Sequence, residues 1–162
     1  IRMKREELLD LMPKKKDDSG AAKNLVQLGY PKVGPVMRDM LLWLKVSNST
    51  VADIFAKFFA RLVPQPVDLI AKHIGTSSGT LRNRILVDVL REWPLEAVRQ
   101  LSANLATLAT HPDVLNNDIE CLKLMLKHGL AETKWVKQWI DFRKEQSIAR
   151  VRLFEKLEMT IT

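Results

Sequence analysis

Cysteine is almost missing from this chain of 162 residues. The single Cys121 excludes an internal disulfide and fits a reducing compartment. Long apolar runs are absent too: none approaches the roughly 20 residues that cross a bilayer. The opening stretch, Ile1-Arg2-Met3-Lys4-Arg5, leads into acidic residues and not into an apolar core. No signal peptide is visible, and a cytoplasmic location is the expectation. No stretch alternates as a strand does. Glycine is scarce, at six residues, and tends to fall between apolar runs, where it ends helices.

The motifs of common chemistries are missing as well. His73, His111 and His128 fall in or beside three different predicted helices, with no HExxH or paired CxxC pattern. Cys121 and His128 share one predicted helix, but seven residues separate them by about 10 Å along its axis, too far to chelate one ion alone. A buried thiol and a helix-end histidine satisfying carbonyls is the reading for this pair. There is no GxSxG elbow. The acid pairs Glu6-Glu7 and Asp17-Asp18 sit at predicted helix starts, where the helix dipole favours carboxylates. Gly75-Thr76-Ser77-Ser78-Gly79-Thr80 resembles a phosphate loop only in its glycines; a helix stop followed by a cap explains it. Asn48-Ser49-Thr50 fits a glycosylation sequon and equally an inter-helix turn, and the cap reading is preferred. Lys14-Lys15-Lys16, followed at once by Asp17-Asp18, reads as a solvated loop. No catalytic residue, metal site or cofactor is expected.

What the chain does have is helical periodicity. Apolar residues make up 46% and charged residues 28%, which suits a globular domain of this length with no need of a metal or disulfide staple. Val51, Phe55, Phe58, Phe59 and Leu62 recur at helical spacing, as do Leu81, Ile85, Val89 and Leu90. About nine helices are expected: 4–11, 18–28 opened by Asp18 or Ser19, 35–45 opened by Pro35, and 50–62 capped by Ser49. There follow 66–75 opened by Pro66, 79–92 capped by Ser78, and 94–109 opened by Pro94. Asn116 or Asn117 caps the eighth, which ends at Gly129. Thr133 caps a long last helix, about 134–157, whose stripe shifts near Arg143–Ser147 and predicts a bend or break.

A repeat follows. Three helices open with proline, at Pro35, Pro66 and Pro94. Each precedes a helix opened by a small polar cap, at Ser49, Ser78 and Asn116. The intervals of roughly 30 residues match helix-pair solenoids, in which stacking shields the face each pair leaves bare. The expected fold is all-α: a short right-handed solenoid of stacked helix pairs, one domain over 1–162 with 133–162 as a C-terminal helical extension.

Leu11-Met12-Pro13-Lys14, Leu28-Gly29-Tyr30-Pro31, Pro35-Val36 and Leu42-Trp43-Leu44 resemble the bacterial family catalogued as domain of unknown function 5071. Val51-Ala52 and Trp93-Pro94-Leu95-Glu96 extend the likeness, which covers about residues 8–130 and leaves the tail outside. The resemblance implies a HEAT-like helical-repeat fold and transfers no catalytic residue.

The net charge is +7, and it is uneven. Residues 1–16 and 133–162 each carry a net +3, while the long middle is near neutral. Stacked pairs set their second helices side by side, giving a concave face. Its solvent stripes are expected to present Asp53, Lys57 and Arg61, then Arg82, Arg84, Asp88 and Arg91, then Glu120, Lys123 and Lys127. Of these, Lys57, Arg61, Arg82, Arg84, Asp88, Arg91, Lys123 and Lys127 are the candidate partner-binding residues. The expected function is a non-catalytic protein-binding module, such as a bacterial immunity or adaptor protein masking a partner domain with an acidic surface. A HEAT-like nucleic-acid-binding protein is the alternative, favoured by a pI near 9.7 and opposed by the near-neutral middle. An enzyme using Asp53 or Asp88 as an acid ranks last. Trp43 and Trp93 are expected in the core. Trp135 and Trp139 are expected to pack the last helix on the body.

Overall fold

The computed structural model describes residues 2–76 and 78–161, and every regular element among them is helical. There are ten α-helices. The first three are α1 (Arg5–Asp10), α2 (Ser19–Leu28) and α3 (Met37–Leu42), the last flanked by 3-10 turns at Gly34–Val36 and Trp43–Lys45. Then come α4 (Thr50–Arg61), α5 (Val67–Ile74) and α6 (Gly79–Arg84). The remainder are α7 (Leu95–Arg99), α8 (Ser102–Ala109), α9 (Asn117–Lys127) and α10 (Thr133–Met159). No helix among the described residues is long and apolar enough to cross a membrane.

Several helices begin where small polar side chains can accept an orphan N–H. Asp18 accepts from Ala21, Ser49 from Ala52 and Ser78 from Leu81. Ser77, within the glycine-flanked loop, lies outside the described residues. Two expected caps are corrected. Asn116 occupies the N-cap position of α9 in a left-handed conformation, φ 60°, and its side chain caps nothing. The carboxylate of Asp113 does that work, accepting from the backbone N–H of Asn117 at 3.0 Å and of Leu115 at 3.1 Å. At α10 the N-cap is Glu132, not Thr133, and no side chain caps it.

Three helices depart from the periodicity. The expected 94–109 helix is two, because Leu101 leaves helical geometry (ψ 8°) and the Ser102 hydroxyl takes the Arg99 carbonyl at 2.6 Å. Its apolar positions, Ala97, Val98, Leu101, Leu105 and Leu108, keep helical spacing across the break, so no pattern signals it. The expected 79–92 helix is α6 continued by a π-helical stretch at Ile85–Val89 and a 3-10 turn at Leu90–Glu92. The widened turn buries Ile85, Leu86 and Val89, and the 3-10 turn after it buries Leu90. Conversely, α10 runs unbroken for 27 residues where a bend was expected. Ser147 bonds back to the Arg143 carbonyl at 2.9 Å, and no other element packs there to force a bend.

One buried apolar cluster extends from Leu8 to Val136. Within it, α2 lies against α4, α4 against the π-helical stretch, α6 and that stretch against α9, and α9 against α10. Helix α8 covers α9 from the other side. Trp93 is at the centre, 2% exposed, its indole N–H donating to the Phe59 carbonyl at 3.1 Å. Trp43 is only partly buried.

Several side-chain bonds join residues 33 or 34 apart. Ser49 Oγ donates to the Lys16 carbonyl, 33 residues away, and Trp93 to Phe59, 34 away. Asn83 Nδ2 donates to Asn117 Oδ1 across 34 residues, and Asn104 Nδ2 to the Ala71 carbonyl across 33. These bonds pair polar groups of distant segments that packing would otherwise leave without partners.

Candidate functional site

Seven of the eight candidate residues come to one surface, spread over α4, the α6 region and α9. Ala52 and Phe55 turn inward on α4, leaving Asp53 and Lys57 outward, with Arg61 one turn further on. On the α6 side, the buried Ile85 and Val89 push Arg84, Asp88 and Arg91 to the same side. Asp53, Lys57, Arg84, Asp88, Arg91 and Glu92 line a groove of about 400 Å³ between the two.

Ion pairs hold this surface. Arg84 is central: its NH2 donates to Asp53 at 2.9 Å, and its Nε lies 2.6 Å from the Asp88 carboxylate. Arg91 reaches Glu120 of α9 at 3.4 Å, and Glu120 also receives Lys123 at 2.9 Å. Lys127 donates to the Arg91 carbonyl at 2.8 Å. Lys57 and Arg61 carry no ion pair among the described residues. The eighth candidate, Arg82, is placed elsewhere. Its guanidinium bonds the carbonyls of Ile74 at 2.8 Å and Gly75 at 3.3 Å, at the end of α5, and lies 3.6 Å from Asp113. It fastens one helix end to the next unit and borders a separate cleft with Asn104 and His111.

The electrostatics are flatter than the stripes implied. The groove holds three basic and three acidic side chains, since Glu92 joins the two aspartates. The excess positive charge lies at its margins, on Arg61, Lys123 and Lys127.

Elsewhere the chemistry is quiet. Cys121 is fully buried, and burial above all pushes its thiol up to about 12, with Asp118 and other acids adding and Arg82 opposing. A thiol so held is inert at neutral pH. The expectation that His128 satisfies helix-end carbonyls is corrected: its Nε2 is buried with no hydrogen-bond partner, as is that of His73. Burial lowers both imidazoles, with Arg38 and Lys72 adding at His73 and Lys127 at His128. No group of three metal-ligating side chains occurs among the described residues. The buried Asn117 ties units together, donating to Asp113 Oδ2 at 2.8 Å and to the Gly79 carbonyl at 3.0 Å while accepting from Asn83.

A second groove, of about 630 Å³, went unnoticed in the sequence. It runs between α9 and α10, lined by the apolar Ile119, Leu122, Leu126, Ile140 and Ile148. The signal was available: Ile119 and Leu126 are seven residues apart on α9, a stripe with no assigned partner. At the start of α10, Val136 is buried and Trp139 donates to the Ala109 carbonyl at 3.0 Å, whereas Trp135 remains exposed.

No curated protein and no solved structure matches this chain. A family model does, over residues 11–127, which runs from the end of α1 through α9 and stops short of α10. On that match the chain belongs to the family described as domain of unknown function DUF5071.

Proposed function

We propose that the protein is a non-catalytic protein-binding module whose helix pairs form a short HEAT-like solenoid, and that the α4–α6–α9 ridge is its recognition surface. The observation that carries this is the convergence of Lys57, Arg61, Arg84, Asp88, Arg91, Lys123 and Lys127 on neighbouring helices. Arg84 and Arg91 are held there by carboxylates before any partner arrives. Preorganised arginines lose less entropy on binding and are favoured at interfaces. Lys57 and Arg61, without ion-pair partners among the described residues, are available to an acidic protein surface. A role in masking a partner domain, as immunity and adaptor proteins do, is the specific form of this reading.

A nucleic-acid backbone is a poorer fit. Phosphate tracking calls for uncompensated positive charge, and here carboxylates interleave with the arginines.

The test is affinity capture from the native host using wild-type protein and a Lys57→Glu/Arg61→Glu variant. A partner retained by the wild type should be weakened about tenfold or more by the double reversal, with thermal stability unchanged. A partner indifferent to the reversal would move the recognition surface elsewhere. Tight duplex DNA binding that falls steeply with salt would replace the reading altogether.

A further inference from the structure

Beyond its first turns α10 is exposed to solvent, yet it carries a run of apolar side chains. Val136 is 1% exposed, but Ile148, Val151, Phe154 and Leu157 are all more than half exposed, as part of a described stretch after Arg143 that is exposed throughout. The α9–α10 groove adds Ile119, Leu126 and Ile140 to the same uncovered surface. A standard-sized interface takes about 800 Å² from each partner, and these seven side chains, each 39–57% exposed, are available as its apolar part.

The pattern along the helix is a mirror centred on Val151. Three residues to either side stand Ile148 and Phe154, both apolar; seven to either side stand Lys144 and Glu158, of opposite charge. Neither Lys144 nor Glu158 has an ion-pair partner among the described residues.

We propose that the occupant of this surface is a second copy of the chain, its α10 packed antiparallel to the first about a two-fold axis at Val151. Val151 then faces its own mate, Ile148 faces Phe154 twice, and Lys144 faces Glu158 twice, as an isologous interface demands. A parallel pair would set Lys144 on Lys144 and Glu158 on Glu158, which like-charge repulsion disfavours. Lys144 and Ile148 also line the α9–α10 groove. The arriving Phe154 and Leu157 are therefore delivered to Ile119, Leu122 and Leu126, and one association covers both stripe and groove. The contact uses α9 and α10; Lys123 lines its groove and also belongs to the proposed recognition ridge, whereas Lys57 and Arg61 of α4 do not line it.

Sedimentation of the full chain, up to about 100 µM, tests this. Wild type should sediment at twice the 18.6 kDa protomer mass. Lys144→Glu alone, or Glu158→Lys alone, opposes like charges at both ends and should raise the dimer Kd by about tenfold or more. Mixing the two variants joins opposite charges at both ends and should restore a dimer containing one of each. All these positions are exposed, so circular dichroism should report the same helix content throughout. A monomeric wild type, or a dimer unmoved by either single reversal, overturns the proposal, as does a mixture that stays monomeric. Monomeric wild type that co-sediments with anionic phosphatidylserine vesicles would assign the stripe to a membrane surface instead.

Discussion

At the scale of single residues, buried groups without partners are the most consequential. His73 and His128 each place Nε2 beyond reach of water and of any hydrogen-bond partner among the described residues. Both imidazoles are lowered from the usual 6.5 by burial first, then by neighbouring cations. The unfolded chain therefore binds protons more readily than the folded one just below that value. Stability is fully present above about pH 6.5 and falls as pH drops through the lowered folded values. Thermal melts between pH 7.5 and 5 should show a declining midpoint, and a His73→Gln/His128→Gln variant should flatten that decline. An equal slope in the variant would place the proton uptake elsewhere.

At the scale of elements, polar side chains do as much joining as apolar packing does. Asn117 bonds to the start of α6 through Gly79 and Asn83 and to the loop before α9 through Asp113. Burial alone would raise the Asp113 carboxyl. The N–H groups of Asn117 and Leu115, helped by Arg82, outweigh that and hold it below its ordinary value. Asn117→Ala strands the Gly79 carbonyl and Asn83 amide and should cost about 1–3 kcal/mol, read from urea unfolding. The same variant should raise the Asp113 titration midpoint, followed by NMR, because two of its donors arise from that side chain or depend on its placement. A midpoint unchanged from wild type would show that the backbone donors suffice. The π-helical stretch acts at this scale too. The widened turn buries three apolar side chains while Arg84 and Asp88 stay within reach of each other.

At the scale of the whole molecule, the chain has a packed body and a projecting arm. The family match ends at residue 127, the end of α9, so α10 lies outside what the family model describes. Most helical stability in proteins comes from packing an apolar face, and the distal part of α10 is exposed in the single chain. Hydrogen exchange in a Lys144→Glu variant held monomeric should show slow amides near Val136 and Trp139 and fast ones beyond about residue 146. In wild type under dimer-forming conditions the distal amides should slow markedly. Equal protection along all of α10 in the monomeric variant would mean that the arm folds back on its own body.

Much of this was legible along the chain, because the relevant forces are local. Apolar positions spaced for helices, prolines at first turns and serines at caps each act within one turn, so the all-helical architecture and most helix starts could be read from residues alone. The outward stripe of α4 followed for the same reason: Val51, Phe55 and Phe59 point inward, so Asp53, Lys57 and Arg61 cannot. Tertiary structure decided what depends on distant partners. Arg82 and Arg84 look alike in sequence, but the α5 carbonyls capture the first and Asp53 the second. The break at Leu101 and the widened turn at Ile85–Val89 keep apolar spacing and so leave no trace in the pattern. The groove beside α9 exists only because α10 leaves the body there, and its direction is set by packing at Val136 and Trp139, not by any residue in the groove itself.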